Sequence, residues 1–349
     1  MKGMLLAAGL GTRLRPLSEK TPKPLMPVVN VPVIEYNLRL MKSHGIDKVF
    51  INLFHLGDDI EDYLGDGSRY EVSITYSHEG ELLGTGGGIK KLESLLGPST
   101  FVVMNADIIS DADLTAAIRA HREHRALATM VVKESPQADE FGAIEYDEHF
   151  RLIQLAGKIS SPPVFEGLLQ KAVFTGVHVL EPRALEYIPP DIYSCINEYA
   201  YPKMIANNEP VYVWRMNGYW CDLGTPERLL QANLDVLSRK IILNHFDPLA
   251  DAEFKPKTEE AGMIILGKNV TLEETASFEP PVMIGTNCKI GKGTRLGPGA
   301  IVGNGCQVSR DCSIMDSVIL SGSKIKKETL LNGMITDGNE YIKVTGPKD

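Results

Sequence analysis

A period of six residues runs through the last part of the chain, and few folds can accommodate it. Apolar residues recur at every sixth position from Leu266 to Leu320 without a break. A small or β-branched residue stands four positions after the apolar one from Val270 to Val318, and glycine follows the apolar residue at positions 285, 291, 297 and 303. Ten hexads in register are hard to obtain by chance. An ordinary β-sandwich lacks this strict spacing, so the pattern indicates a repeat architecture.

The repeat resembles the hexapeptide-repeat left-handed parallel β-helix, in which three hexads make one coil. The resemblance implies that Cys288 and Cys306, which are eighteen residues apart, stack on the same face of adjacent coils. We therefore interpret Cys288, Cys306 and Cys312 as small buried fillers rather than metal or redox residues. The five cysteines include no C-x-x-C pair and are odd in number, so we expect neither disulfides nor a zinc site.

The chain opens with an apolar run that leads directly into a glycine turn carrying cations. Gly9 and Gly11 have no side chains, so backbone N–H groups could close around a phosphate there. Arg13 and Lys23 follow and can neutralise further phosphate oxygens. The opening therefore predicts a polyphosphate site.

Two common phosphate loops do not fit this opening. A P-loop ends in Gly-Lys-Ser/Thr, which Gly11-Thr12-Arg13 does not supply. The dinucleotide fingerprint requires glycine where this chain has Leu14. The sequence G-L-G-T-R-L-R-P, followed by P-K-P-L from position 22, instead resembles the signature of the sugar-phosphate nucleotidyltransferases, or NDP-sugar pyrophosphorylases. The resemblance implies nucleotide binding by Ala7, Ala8, Gly9, Gly11, Thr12 and Arg13.

Short β-rich runs alternate with helical patterns up to about residue 133, which is typical of a parallel α/β sheet. Ligands of such sheets bind at the carboxyl ends of the strands, where the glycine turn begins. The expected strands are Met4–Ala8, Lys48–Phe54, Val72–Tyr76, Phe101–Met104 and Ala128–Lys133, and the expected helices are Val33–His44, Gly57–Leu64, Gly88–Leu96 and Asp111–His124. Two further strands, Phe174–Leu180 and Val211–Met216, are expected in a less regular part that covers the other half of the cleft.

The resemblance implies an α/β fold, a Rossmann-like nucleotidyltransferase domain with a mixed, mostly parallel sheet, followed by the left-handed parallel β-helix. We assign residues 1–240 to the catalytic domain, 241–261 to a linker and 262–349 to the β-helix and C-terminal tail. A net charge of −9 opposes a nucleic-acid or anionic-membrane partner. The chain has neither a signal-peptide core nor a run of about 20 apolar residues, so we expect a cytoplasmic protein.

Two aspartates are candidate metal ligands. Asp107 ends the apolar run that begins at Val102, and Asp222 follows Trp220-Cys221. Alone, each would be interpreted as a helix cap or a turn residue. The resemblance implies that both hold Mg²⁺, which prefers oxygen ligands, although Ala106 stands where the family often has glycine. It also implies catalytic roles for Arg13, Lys23, Asp107 and Asp222 and nucleotide binding by Asn105.

A second glycine-rich segment runs from Glu79 to Gly88, and its glycines permit close approach to a planar ligand. A helix that begins near Gly88 would offer N–H donors. The L-G-T-x-G form resembles guanylyl-transferring members of the family and implies nucleotide binding by Glu81, Gly84 and Thr85. The alternative is a flexible loop that binds no ligand.

The resemblance places sugar recognition in the second half of the cleft. Phe141-Gly142-Ala143 and Thr175-Gly176 match the family's sugar-side turns, and Glu198 is a candidate acceptor for sugar hydroxyls. Lys158 lies in Gly157-Lys158-Ile159, where many members have Glu-Lys-Pro. Lys158 is therefore either a phosphate ligand or a solvated lysine, and Glu198 could equally be a surface residue. The sugar-binding candidates are thus Gly142, Lys158, Thr175, Gly176 and Glu198.

The resemblance implies transfer of a nucleotidyl group from a nucleoside triphosphate to a sugar 1-phosphate, with GTP and mannose 1-phosphate preferred. Uridylyl or thymidylyl transfer to another sugar, or a silent regulatory subunit that binds nucleotide sugar, are the alternatives. An acetyltransferase activity of the β-helix is disfavoured, because all eight histidines lie at or before His245. We expect a homo-oligomer in which the β-helix provides a surface for assembly or regulation. Residues 1–240 alone should then be active but altered in assembly.

Overall fold

The computed structural model describes residues 1–136, 138–155, 167–250, 253–254 and 263–344. Chain contacts divide the protein into two compact units. The first comprises residues 1–10, 22–24 and 34–220, and the second comprises 11–21, 25–33 and 221–349. This division does not follow the cut at residue 240, because two N-terminal segments and residues 221–240 group with the C-terminal strands.

The first unit is built on a nine-stranded sheet in which β10, β9, β11, β6, β1, β4 and β5 lie side by side, and β8 joins β11 to β12. Strand β1 pairs in parallel with both β4 and β6, whereas β11 runs antiparallel to β6 and β8. The nine strands are β1 Lys2–Leu6, β4 Lys48–Leu53, β5 Ser73–His78, β6 Phe101–Asn105, β8 Ala128–Lys133, β9 Ile144–Tyr146, β10 Leu152–Leu155, β11 Gln170–Leu180 and β12 Val211–Arg215, and the short strand β7 Ile108–Ser110 lies outside this sheet. The predicted mixed, mostly parallel sheet is confirmed.

The helices of this unit are α1 Val33–Ser43, α2 Gly57–Leu64, α3 Gly84–Lys91, α4 Glu93–Leu96, α5 Leu114–Glu123, α6 Ala138–Phe141 and α7 Ile196–Ala206. Short 3₁₀ turns of this unit occupy Ser68–Tyr70 and Pro182–Tyr187, whereas the turns Thr12–Leu14 and Leu17–Glu19 lie in the second unit and Lys23–Leu25 lies at the boundary between the two sets of residues. Helix α5 is capped by Asp113, the residue before it, whose carboxylate accepts the Ala116 N–H at 2.9 Å. No helix among the described residues is long and apolar enough to span a membrane.

The core of this unit lies where the apolar strands are buried on both faces. Met4, Phe101, Val103 and Met130 are completely inaccessible to solvent. Central parallel strands covered on both sides read as nearly continuous apolar runs, which explains why these strands could be predicted. The helix predicted at 88–96 starts four residues earlier, because α3 begins at Gly84, and α4 covers the end of the predicted range.

The second unit contains a hairpin, one long helix and the C-terminal strands. The hairpin strands are β2 Pro27–Val28 and β3 Val31–Pro32, the short strand β13 is Trp220–Asp222 and the helix α8 is Pro226–Leu237. Thr225 caps α8 by accepting the Arg228 N–H at 3.4 Å. The buried Asn233 of α8 accepts the Val29 N–H at 2.8 Å and donates to the Pro27 carbonyl at 3.1 Å. The hairpin is thus hydrogen-bonded to α8.

The C-terminal strands form three parallel sheets, as expected for a parallel β-helix. One holds β14 Glu253–Phe254, β15 Ile264–Leu266, β18 Val282–Ile284, β21 Ala300–Val302, β24 Ser317–Ile319, β27 Met334–Thr336 and β28 Tyr341–Lys343. The second holds β16 Thr271–Leu272, β19 Lys289–Ile290, β22 Gln307–Val308 and β25 Lys324–Ile325. The third holds β17 Ser277–Phe278, β20 Arg295–Leu296, β23 Ser313–Met315 and β26 Leu330–Asn332. The antiparallel strands β14 and β28 close the first sheet.

The step between coils shortens by one residue within the repeat. Val282 pairs with Ala300, eighteen positions on, but Ala300 pairs with Ser317, seventeen positions on. As a result Ile319 is the buried partner of Val302, and Leu320 is only half-buried. Leu320, the tenth apolar residue of the six-residue period, therefore lies one position past the buried one. The shorter corner contains Asp316, whose φ is positive at 41°.

The three repeat cysteines are buried inside this β-helix, as predicted. The thiols of Cys288 and Cys306 donate to the carbonyls of Gly303 and Leu320, at 3.0 and 3.2 Å. The Cys312 thiol donates to the Lys326 carbonyl at 3.1 Å. The contact with Cys288, together with burial, raises the pKa of the Cys306 thiol. These thiols therefore pack between coils.

Candidate functional site

A cavity of about 260 Å³ opens at the carboxyl ends of β1, β4 and β6, where ligands of α/β sheets bind. We call it the strand-end cavity. Six predicted site residues line it, namely Ala8, Gly9, Gly84, Thr85, Asn105 and Asp107. Five lining residues were missed, namely Leu6, Asn52, Leu82, Tyr193 and Cys195. The two glycine-rich segments, about 75 residues apart, thus meet at one edge of the sheet.

The walls of the strand-end cavity are tied together by two buried side chains, Asn52 and Glu79. Asn52 accepts the Ala7 N–H at 3.0 Å and donates to Glu79 Oε1 at 2.7 Å. Glu79 Oε2 in turn accepts the Leu83 N–H at 2.9 Å. A hydrogen-bonded chain therefore connects the start of the opening motif to the start of the second glycine segment. A polar residue near the end of an apolar strand was the sequence signal for Asn52.

The second glycine segment forms the first turns of α3 and packs against residues 192–196. Gly84 has a φ of +72°, and a β-carbon on it would lie 2.6 Å from the Ser194 carbonyl oxygen. The N–H groups of Gly86 and Gly87 donate to that same oxygen at 2.8 and 3.3 Å. The helix N-terminus is therefore partly satisfied by the protein, and Gly84 and Thr85 are the α3 residues that line the cavity.

The Thr85 hydroxyl has a structural partner as well as a place in the cavity wall. It accepts the Ile196 N–H at 3.0 Å and so helps to begin α7. Glu81, predicted beside Thr85 as a nucleotide ligand, is exposed and does not line the cavity.

A bulge in β11 brings the Thr175-Gly176 pair next to Asn105. The pairing register of β11 with β8 shifts between Phe174 and Val177. Gly176 has a φ of +87°, and a β-carbon on it would lie 2.9 Å from the Asn105 side-chain nitrogen. The Thr175 hydroxyl is buried and donates to the Val131 carbonyl at 2.7 Å. Gly176, rather than the Thr175 side chain, is therefore the half of the pair that faces Asn105.

A neutral imidazole lies two residues further along the same strand. His178 is buried between the rings of Phe174 and Tyr201, and its Nδ1 is 2.7 Å from the Tyr201 hydroxyl. Burial lowers the pKa of His178 to about 3. The ring is therefore uncharged at neutral pH and supports the sheet.

Asp107 is paired with a lysine side chain. The Lys23 ammonium forms an ion pair with Asp107 Oδ2, and the Lys23 side chain is almost fully buried. A carboxylate and a cation thus stand together at the edge of the strand-end cavity.

The other two predicted catalytic residues, Arg13 and Asp222, belong to the second unit. Gly11 has a φ of +63° and begins the short 3₁₀ turn Thr12–Leu14, in which Thr12 and Arg13 are exposed. A β-carbon on Gly224 would overlap both Arg13 Nη2 and Asp222 Oδ1. A larger residue at position 224 would therefore have to displace that guanidinium and that carboxylate.

Asp222 is held by its own neighbours. Its Oδ1 accepts the Gly224 N–H, and its Oδ2 is 3.8 Å from Arg228 Nη1. These contacts orient the carboxylate at the start of α8.

The candidate sugar-binding residues are the most scattered of the predicted site residues. Gly142 follows α6 with a φ of +83°, and Glu198 is exposed in the first turn of α7. Neither lines the strand-end cavity. Lys158 lies outside the described residues. Their roles in sugar binding stay predictions.

A family model described as Nucleotidyl transferase matches residues 2–239, which is more than half of the chain. The chain belongs to this family. A second model, described as the GMPPB C-terminal domain, matches residues 278–344 of the chain, within the β-helix. The resemblance found in the opening motif is thereby confirmed.

Curated relatives and a solved structure agree with this assignment. The chain is 33% identical to a UTP–glucose-1-phosphate uridylyltransferase of Synechocystis sp., over 83% of this chain and 80% of that protein. It is 29% identical to a mannose-1-phosphate guanyltransferase of Hypocrea jecorina, over 98% of this chain and 87% of that protein. HddC from Yersinia pseudotuberculosis superposes with a TM-score of 0.56 at 24% identity, over 66% of this chain and 97% of that one. This last likeness shows the fold alone.

Proposed function

We propose that the protein joins a nucleoside triphosphate to a sugar 1-phosphate, making an NDP-sugar and pyrophosphate. The composition of the strand-end cavity is the observation that carries this proposal. Its wall combines Gly9 of the opening motif, Gly84 of the second glycine segment and Asp107, which is paired with Lys23. Glycines let backbone N–H groups approach a polyphosphate closely. A carboxylate and a cation beside them serve to align it and to neutralise its charge.

In the proposed reaction, a phosphate oxygen of the sugar 1-phosphate attacks the α-phosphorus in line. The bond from that phosphorus to the bridging oxygen breaks, and pyrophosphate leaves with the electron pair. Arg13 and Lys23 stabilise the negative charge on the phosphates. Because both reactants are held side by side, no covalent intermediate on the protein is needed.

The family implies a divalent cation, and the chemistry of Asp107 and Asp222 fits Mg²⁺. Both side chains are carboxylates that stay partly exposed, at 24% and 26% of their surface. Mg²⁺ prefers oxygen ligands and retains several waters, so one or two carboxylates suffice. When bound, it polarises phosphate oxygens and offsets their charge. The contacts of Asp222 with Gly224 and Arg228 would keep its carboxylate in one orientation.

GTP and mannose 1-phosphate are the substrates we propose. The L-G-T-x-G segment, the C-terminal family match and the Hypocrea jecorina relative support this pair. The Synechocystis relative supports a second candidate, uridylyl transfer to glucose 1-phosphate. Both candidates use the same reaction and differ in the base and sugar that are recognised.

Pyrophosphate release tests the proposal directly. The purified protein is assayed with Mg²⁺ and each of GTP, UTP, dTTP, CTP and ATP, against a panel of sugar 1-phosphates. We expect the fastest release with GTP and mannose 1-phosphate, and complete loss when EDTA removes the metal. Release of pyrophosphate with another nucleotide and sugar would support the proposed reaction but show that its substrates are different. If no combination releases pyrophosphate but the protein still binds a nucleotide sugar, the protein is a regulatory subunit.

Replacement of Asp222 tests the metal role. Asp222→Asn keeps the shape of the side chain and an acceptor for the Gly224 N–H but removes the charge. We expect turnover to fall by at least about 100-fold with little change in melting temperature. The exposed Asp311→Asn is the matched control and should behave as wild type. Near-normal turnover of Asp222→Asn would remove Asp222 from the mechanism.

A further inference from the structure

Tyr193 lines the strand-end cavity and is also largely exposed to solvent. The residue is 60% exposed, yet it lines the cavity together with Gly84 and Thr85. A large aromatic side chain that is neither buried nor packed in a core gains little for folding. An exposed ring at the rim of a cavity is more typical of a residue that contacts a ligand.

The backbone that carries Tyr193 is held in place on both sides. The Ser194 N–H donates to the Leu83 carbonyl at 2.9 Å, and the Ser194 carbonyl accepts from Gly86 at 2.8 Å. The Ile196 N–H donates to the Thr85 hydroxyl at 3.0 Å. The Tyr193 ring is therefore presented from an ordered segment, and placing it costs little conformational entropy because tyrosine has only two side-chain torsions.

The surroundings of the ring suit a flat, partly apolar group. The position of a β-carbon on Gly84 lies 3.1 Å from Tyr193 Cε2, so the ring rests against a residue without a side chain. Leu6 and Leu82 provide apolar surface in the same cavity, and Gly9 marks the phosphate side. A planar heterocycle attached to a phosphate chain matches this combination of an open ring, apolar walls and a glycine turn.

We propose that Tyr193 is the residue on which the nucleobase stacks when the nucleotide occupies the strand-end cavity; this inference rests on the proposed function. Stacking uses the π-face that every base has, so Tyr193 contributes affinity for purine and pyrimidine nucleotides alike. Selectivity for one nucleobase over another then depends on polar groups elsewhere in the cavity. The Tyr193 hydroxyl is not required for stacking, since phenylalanine offers the same face.

The test compares Tyr193→Ala and Tyr193→Phe with wild type by calorimetric titration of GTP and of UTP in the presence of Mg²⁺. We expect the dissociation constant of a nucleotide that wild type binds to rise about 10-fold or more in Tyr193→Ala and to stay within about 2-fold in Tyr193→Phe. Tyr199→Ala is the matched control, since Tyr199 is also exposed but does not line the cavity. Its dissociation constants should equal those of wild type.

Three outcomes would overturn the inference, and they are distinguishable. Unchanged nucleotide affinity in Tyr193→Ala, with pyrophosphate still released, rejects stacking and leaves the proposed function intact. A rise confined to the KM of the sugar 1-phosphate assigns the ring to the sugar instead. If wild type neither binds a nucleotide nor releases pyrophosphate, the proposed function fails first and the inference fails with it.

Discussion

At the scale of single residues, the buried pair of Asn52 and Glu79 decides how the strand-end cavity is built. Their hydrogen bonds join Ala7 to Leu83, two backbone positions that belong to separate glycine-rich segments. A buried polar group that loses its partner pays the full desolvation cost, so this chain of hydrogen bonds holds both segments in one arrangement. Asn52 therefore positions the backbone on two sides of the strand-end cavity.

The substitution Asn52→Ala tests how much this pair contributes to stability and to nucleotide binding. The substitution leaves the Ala7 N–H and one oxygen of Glu79 without their partner, so we expect unfolding free energy to fall by about 1–3 kcal/mol. Because the opening motif loses its tether, the KM of the nucleoside triphosphate should rise more than kcat falls. Urea unfolding and steady-state kinetics measure the two effects.

The exposed Asn339→Ala serves as the control for Asn52→Ala and should change neither quantity. A loss of stability in Asn52→Ala with an unchanged KM would mean that the pair supports the fold alone.

At the scale of elements, glycines set how closely strands and helices approach the cavity. The bulge of β11 needs a positive φ at Gly176 and brings its backbone against Asn105. Helix α3 starts four residues earlier than predicted, because the Ser194 carbonyl accepts the N–H groups of Gly86 and Gly87. Glycine-rich sequence alone suggested a loop, since glycine is a poor helix former.

Gly176→Ala separates backbone strain from contact with the site. Alanine at this positive φ is strained, and its β-carbon would also displace the Asn105 side chain. We expect a loss of about 1 kcal/mol in unfolding free energy and a clear drop in kcat/KM. Gly65→Ala is the matched control, because Gly65 has a φ of +59° with open space around it.

Gly65→Ala should lose similar stability without losing activity. Equal activity in both variants would show that the contact of Gly176 with Asn105 is dispensable for turnover.

At the scale of the whole molecule, segments of the opening motif are packed into the same compact unit as the β-helix. Lys20 forms an ion pair with Asp337 at 2.7 Å, although 317 positions separate them. Asn30 donates to the Val302 carbonyl at 3.2 Å. The second unit therefore joins the segment that carries Arg13 to the last coils of the β-helix.

This packing changes the expectation for residues 1–240 alone. A chain that ends at residue 240 loses the partners of Lys20 and Asn30, and it exposes apolar surface of α8 such as Leu234, which lies against Gly299. We expect aggregation or a pyrophosphate-release rate reduced at least about 100-fold, because Arg13 loses its support. Light scattering and the pyrophosphate assay measure the two effects.

A chain that ends at residue 344 is the control for this truncation and should keep wild-type activity. Full activity of residues 1–240 would show that the catalytic segments hold their geometry without the β-helix.

Much of the fold was predictable from local spacing. Buried parallel strands read as apolar runs, and the inward positions of the β-helix recur every six residues, so both appear in the order of the residues themselves. Gly9, Gly84 and Asp107 were found in the same way, since each lies in a short motif; they line the strand-end cavity, and their roles in binding stay predictions. The one-residue shortening before Ile319 escaped notice because the next residue, Leu320, is also apolar.

The sequence by itself determined the α/β sheet, the repeat and the motifs of the site, because each depends on residues close together in the chain. Only the tertiary structure decided which distant residues complete the site. Asn52, Glu79 and Tyr193 reach the strand-end cavity or its walls through strand pairing and backbone hydrogen bonds between remote segments. Such contacts depend on how whole elements pack, and no spacing within a single segment encodes them.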